Sequence, residues 1–266
     1  MAIITLLTDF GLKDGNVGVM KGVIWGIAPG VQIADLSHTI APQNIPEAAL
    51  ILSRSAPYFP PGTVHVVVVD PGVGTDRRPI AASIGSQYYV GPDNGILTMW
   101  MEHAEKEDLP TQFVHLDRPD FWLPDVSHVF HGRDIFAPAA AHLASGIALG
   151  ALGTSIHDPL RLNLPRPTHT PHGLAGEVIH IDHFGNISTN IRREHLEGAS
   201  GLDHLILRLA DVEIHGMVQT FGARQPDELV ALFGSTGNLI VSVVNGSAAQ
   251  RLGVQPGDRV ELELGI

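Results

Sequence analysis

Up to about Gly150 the chain switches repeatedly between two rhythms, short apolar runs of strand length and longer segments with apolar residues every three or four positions. Ala2 to Thr8 is an apolar run that stops at Asp9 and Gly11, and Val17 to Ile27 has helical spacing before Pro29 and Gly30. Gln32 to Leu36 reads as a strand, Ile45 to Ser55 as a helix, and the β-branched Thr63 to Val69 as a strand buried on both faces and closed by Pro71 and Gly72. Tyr88 to Val90 leads into a Gly91-Pro92-Asp93-Asn94-Gly95 turn, and Ile135 to Ser145 is an alanine-rich helix. This alternation predicts an α/β domain over 1–160, with right-handed crossovers and a mostly parallel sheet covered by helices on both faces.

The texture then changes. Pro159, Pro165, Pro167 and Pro171 crowd a polar stretch that reads as a linker over about 161–170. Beyond it Glu177 to Ile181, Leu205 to Leu209, Val212 to Ile214, Leu229 to Phe233, Leu239 to Val244 and Arg259 to Leu264 are short strands between turn signals. They predict a smaller all-β domain, a small barrel or a sandwich, over 171–266. The expected layout is two domains with a ligand cleft between them or between subunits.

Composition narrows the function classes. Apolar residues make up 44% and charged residues 17%, a globular balance. The longest apolar runs, such as Val66 to Val69, fall far short of the ~20 residues of a spanning helix. No basic segment followed by a long apolar stretch opens the chain, so the expected location is the cytoplasm. There is no cysteine, which excludes disulfides, thiolate metal sites and a cysteine nucleophile. With 16 Lys and Arg against a net charge of −12, a nucleic-acid backbone is not an expected partner, and a cationic small molecule suits the chain better.

Three polar turns fall where parallel strands end, which is where open α/β sheets place their ligands. In Thr8-Asp9-Phe10-Gly11, followed by Asp14, a carboxylate is placed either to accept from the two hydroxyls of a ribose or to cap the next helix. In the turn from Asp70 to Arg78, Asp70 ends a very apolar strand and Arg77, across a Gly-rich loop, is able to fold back and hold it charged. A structural Asp–Arg pair is the alternative; a phosphate-cradling loop would need a Gly-Lys-Ser/Thr ending that is missing. In the third, His128 to Asp134, His131 stands beside a helix start, where the dipole favours a neutral imidazole suited to accepting a proton or orienting water. His180, Asp182 and His183 suggest a metal site, but strand alternation points His183 away from the other two.

In the second half, Phe184 and Asn186 form either an adenine platform, stacking and hydrogen-bonding, or a plain hairpin turn. Ser235, within Phe233 to Asn238, and the run Asn245-Gly246-Ser247 add further polar turns.

Thr8 to Gly11, Asp70 to Gly74, Gly91 to Gly95, Phe130 to Asp134, Asp182 with Phe184 to Asn186, and Asn245-Gly246 occur in one order across nearly the whole chain. Together they resemble the S-adenosylmethionine hydroxide adenosyltransferases, a family related to fluorinase and chlorinase enzymes. The resemblance implies an α/β domain, a barrel-like domain, and a homotrimer with substrate sites shared between subunits. It also implies that Asp9 holds the ribose hydroxyls. Phe184, Asn186, Phe221 and the backbone near Asn245 and Gly246 would hold the adenine, and Asp14, Asp182 and Ser235 the methionine end. Asp70, Arg77 and His131 match the water-using branch, and Gly132 stands where the fluorinase has a halide-binding serine.

The expected reaction is hydrolysis of S-adenosyl-L-methionine, as substrate rather than cofactor, to adenosine and methionine, with no other cofactor and no metal. Attack by a hydroxide-like oxygen on a sulfonium cancels opposite charges, so a dry site favours it, and a thioether leaves without a general acid. The alternatives are a chlorinase-like halogenase, a metal-dependent hydrolase using the histidines, and a non-catalytic adenosine or S-adenosylmethionine binder.

Overall fold

Val64 to Val68 is apolar or aromatic at every position, so it can be stable only with both faces covered, and the rest of the first unit is arranged around it. The computed structural model describes residues 2–197 and 204–264; Met1 and 265–266, the outer ends of the two expected domains, lie outside them. The chain divides into two compact units between Leu162 and Asn163.

The first unit contains β1 (Ile3–Thr8), α1 (Asn16–Ile27), β2 (Gln32–Ser37), α2 (Ile45–Ser55), β3 (Val64–Val68), β4 (Pro79–Ile84), β5 (Gln87–Pro92), α3 (Thr98–Lys106), β6 (Thr111–His115), α4 (Ala137–Ala144) and β7 (Thr154–Ile156). Its sheet has the order β2-β1-β3-β5-β4-β6-β7. The first four strands pair in parallel and the last three pair antiparallel, so only β4 and β7 run against the common direction. Side chains alternate across it. Ile4, Leu6, Val64, Val66 and Val68 pack with α1 and α4 on one face, while Leu7, Val67 and Val69 pack with α2 and α3 on the other. Buried Ala137, Ala139, Ala140 and Ala141 let α4 lie close, and the expected alanine helix begins as a π-helical turn, Gly132–Phe136. The sequence reading has no counterpart for β4, β6 and β7, which are short, alanine-rich or polar, and paired antiparallel toward one edge.

The second unit holds β8 (Thr168–Thr170), β9 (Gly173–Ile181), β10 (Ile187–Arg192), β11 (Ile206–Leu209), β12 (Val212–His215), β13 (Leu229–Phe233), β14 (Asn238–Val243), α5 (Ala248–Leu252) and β15 (Arg259–Glu263). The order is β12-β11-β15-β9-β10-β14-β13, antiparallel throughout, with β8 added to β9. Just after β12, Val218 N–H donates to the Ala231 carbonyl of β13 at 2.9 Å, which nearly closes the sheet into a barrel around Val178, Ile187, Leu207, Val241 and Val260. The proline-rich stretch is tied down on both sides of the division. Leu160 and Leu162 N–H donate to Asp93 Oδ1 and Thr98 Oγ1, and Thr168–Thr170 joins the barrel sheet. Among the described residues no helix is long and apolar enough to cross a membrane.

His65 is the one imidazole among the residues that form β3, fully buried, with Nδ1 2.8 Å from Thr5 Oγ1 and the edges or faces of Phe59 and Trp100 around the ring. Burial lowers its pKa from 6.5 to about 4. The folded state therefore binds this proton less readily than the unfolded chain. The associated stability is complete above pH 6.5 and is lost as pH falls through 4. The shift corresponds to about 3 kcal/mol. Urea unfolding of the wild type and of His65→Leu at pH 7, 5.5 and 4 checks this: the wild type should lose the larger share of its stability on acidification, and parallel losses would contradict it.

Candidate active site

Asp70 follows the end of β3, after buried Val69, where the strand delivers a carboxylate into the crevice beyond the sheet. Arg77 comes back across the loop to meet it. Its Nε lies 2.8 Å from Asp70 Oδ1 and its Nη2 2.5 Å from Oδ2, a two-pronged charge-assisted contact. Both side chains are nearly out of solvent, 5% exposed for Asp70 and 9% for Arg77. The guanidinium also lies 5.2 Å over the Phe136 ring.

The same Nη2 is 2.8 Å from His131 Nδ1. A guanidinium only donates, so Nδ1 accepts, and the neutral ring carries its proton on Nε2. Burial first, and the Arg77 charge second, hold the His131 pKa below its ordinary value, with Asp70 and Asp134 pulling the other way. The ring is thus neutral at pH 7 and offers Nε2–H as a donor.

Two neighbours shape the loop that carries Arg77. Gly74 has φ +76°, and a Cβ there would sit 2.1 Å from the His128 carbonyl oxygen, so only glycine lets this loop press on the loop carrying His131. At the loop's far end Arg78 donates to Asp93 and Asp158, and Asn94 Nδ2 donates to the Val69 carbonyl at 2.9 Å. The Gly91–Gly95 turn therefore works as a clamp on the backbone that presents Asp70. Sequence reasoning noted this turn as a motif without giving it that task.

Asp9 lies in a turn fixed from several sides. Thr8 Oγ1 is 2.9 Å from His38 Nδ1, Gly11 N–H donates to the His38 carbonyl, and Asp9 Oδ2 accepts from Gln43 N–H at 2.8 Å. Phe10 meets Phe130 edge-on at 5.6 Å, which joins this turn to the His131 loop. Asp14 is exposed, and Gly15 rather than an acidic side chain precedes α1, without a side-chain cap.

In the barrel unit Asp182 Oδ1 accepts from Phe184 and Asn186 N–H at 2.9 Å, and its Oδ2 accepts from Asn186 Nδ2. The turn it builds presents Phe184 at 73% exposure. Gly185 packs against Ser247, which brings the turn beside Asn245 and Gly246. Phe221, half-exposed, lies in the loop that enters β13, where Asp227 N–H donates to the Val244 carbonyl. These residues share one end of the sheet. Ser235 is at the other, because β10 runs from Ile187 opposite Val241 to Arg192 opposite Asn238, next to the β13–β14 turn. Among the described residues no three His, Asp or Glu side chains are grouped to hold a metal ion, and His180, Asp182 and His183 do not combine.

An Asp–Arg–His constellation at the carboxyl end of a parallel strand, in a chain with a second, barrel-like unit, defines an α/β enzyme acting on a small molecule. The chain belongs to the SAM hydroxide adenosyltransferase family: its N-terminal domain pattern matches residues 4–153 and its C-terminal domain pattern residues 176–261. A relative from Salinispora tropica, named (R)-S-adenosyl-L-methionine hydrolase, is 39% identical over 266 residues, 98% of each chain. A fluorinase from Actinoplanes sp. is 31% identical over 227 residues, 74% of each chain. The crystal structure of an uncharacterized conserved protein from Thermotoga maritima superposes with a TM-score of 0.89 at 38% identity, covering 97% of this chain and 99% of that one.

The hydrogen bond from Arg77 fixes a measurable property of His131. Nitrogen-15 NMR should find Nε2 protonated and Nδ1 bare at pH 7, with titration below pH 6.5. A protonated Nδ1 in the neutral ring would contradict the geometry.

Proposed function

We propose that the chain hydrolyses S-adenosyl-L-methionine to adenosine and L-methionine, with Asp70, Arg77 and His131 ordering and activating the attacking water. The observation that carries the assignment of roles is the single Arg77 nitrogen bonded to both Asp70 and His131. Water oxygen bonds to ribose C5′ as the C5′–S bond breaks, sulfur takes the bonding pair and becomes a neutral thioether, and one proton leaves the former water. His131, whose Nδ1 is engaged by Arg77, orients the water through Nε2–H, and the Asp70 carboxylate takes the proton. A weak base is sufficient, because the water becomes strongly acidic as its oxygen bonds to carbon. The sulfonium is itself the activated leaving group, so no cofactor or metal is needed.

Asp9 holds the ribose hydroxyls, Phe184, Asn186, Phe221 and the Asn245–Gly246 turn hold the adenine, and Asp14 and Asp182 hold the methionine end; Ser235, at the far end of the barrel sheet from Asp182, does not share that end with it. The halogenase reading has less support. A Cβ at Gly132 would already lie 3.3 Å from Met20 Sδ, Phe130 and Val68, which leaves little space for a halide-binding side chain. One experiment tests the activity and the role of Asp70 together. With S-adenosyl-L-methionine and chloride present, the wild type should yield adenosine and methionine. Asp70→Asn should lower the single-turnover rate by about 10²- to 10⁴-fold, with a much smaller change in Kd. A 5′-chlorinated product, or an unimpaired variant, would overturn the proposal.

The enzyme works as a cytoplasmic homotrimer whose substrate site draws on two neighbouring subunits. Support comes from α1, whose outward surface carries Gly18, Gly22 and Gly26, none with any atom within 4 Å of a would-be Cβ, together with exposed Val19 and Trp25. Such a face admits a close neighbour. Sedimentation equilibrium should give three times the 28.4 kDa chain mass, and a fully active monomer would rule the trimer out.

A further inference from the structure

Asp134 is a carboxylate with no exposed surface in the helical turn that leads into the alanine-rich α4, and the reaction above does not use it. A buried charge persists only where donors converge on it. Ser127 supplies two, with N–H and Oγ each 2.8 Å from Asp134 Oδ2, and Arg133 Nε lies 2.6 Å from Oδ1. The Asp134 carbonyl accepts from Leu123 N–H, and Phe130 N–H donates to Ser127 Oγ. The ends of segment 127–134 are thereby drawn together, with His131 held inside the closed loop.

Arg133 extends this order in a second direction. Its guanidinium lies 5.2 Å over the Phe130 ring, Phe130 meets Phe10 edge-on, and Phe10 is next to Asp9. One carboxylate thus sits at the root of two contact chains, one leading to the His131–Arg77 contact and the other to the ribose-holding turn.

We propose that Asp134 is a positioning residue that couples the two halves of the site, setting His131 against Arg77 through Ser127 and seating the Asp9 turn through Arg133 and Phe130. The inference rests on the roles given above to His131 and Asp9. It requires the two branches to separate kinetically. Ser127→Ala, which removes the Oγ half of the loop tether and the acceptor of Phe130 N–H, should lower kcat by about tenfold while leaving the Kd for S-adenosyl-L-methionine nearly unchanged, since small misplacements of a reacting group cost rate. Arg133→Ala, which frees Phe130 and Phe10, should raise Kd by about tenfold with a smaller effect on kcat, the scale of losing one charge-assisted contact. Asp134→Asn should show both effects and shift the His131 NMR titration. Ser127 and Arg133 are only partly buried, so their truncation leaves the core intact, and circular dichroism verifies the fold. His131→Ala is the control. Its loss of hydrolysis, with wild-type kcat and Kd in both truncations, would overturn the coupling alone. Full hydrolysis by His131→Ala would overturn the site reading and the coupling with it.

Discussion

The guanidinium of Arg77 is withdrawn from water, and the loops at the carboxyl end of β3 converge on it. Removing a cation from solvent is costly unless acceptors of good geometry replace the water. Asp70 supplies both carboxylate oxygens, His131 a ring nitrogen, and Phe136 an aromatic face. Asp70 comes from the end of β3 and His131 and Phe136 from the approach to α4, so the cation can be buried only if both of these and the loop that carries Arg77 are in place. The same contacts select the Nε2–H form of His131, because a guanidinium can only donate to Nδ1.

Rigidity under this cluster comes from the sheet. β3 is covered on both faces, so Asp70 leaves a backbone with little freedom, and Asn94 holds that backbone by the Val69 carbonyl. Loops carry the candidate site residues, but each loop is pinned from outside itself: the 70–78 loop by Gly74 on His128 and by Arg78 on Asp93, the Asp9 turn by His38 and Gln43. Preorganisation of this kind matters for a substrate whose bond to sulfur is already activated. The protein's task is to place one water in line and exclude others.

The motifs divide by task once their contacts are known. Asp70, Arg77 and His131 meet directly. Gly91–Gly95, equally conspicuous in the sequence, clamps the backbone instead, and within the barrel unit Asp182 directs both oxygens into building the turn that exposes Phe184. Asp182 thus has a local structural task whatever it contributes to substrate binding.

The alternation of apolar runs, read residue by residue, determined the α/β class of the first half, the all-β class of the second, and the strand ends at Asp9 and Asp70, because periodicity reports directly which faces are buried. It was silent on β4, β6 and β7, whose short or polar sequences become strands only when a neighbour offers an antiparallel edge. The ordered motifs brought Asp70, Arg77 and His131 forward as a group, yet spacing could not say which nitrogen of His131 carries its proton. Nor could it say that Asp134 has no exposed surface, or that Ser235 lies at the far end of the barrel sheet from Phe184. Those facts depend on which distant segments become neighbours. Hydrogen-bond direction, burial and sheet register belong to pairs of residues remote in the chain, and only the tertiary structure decides them.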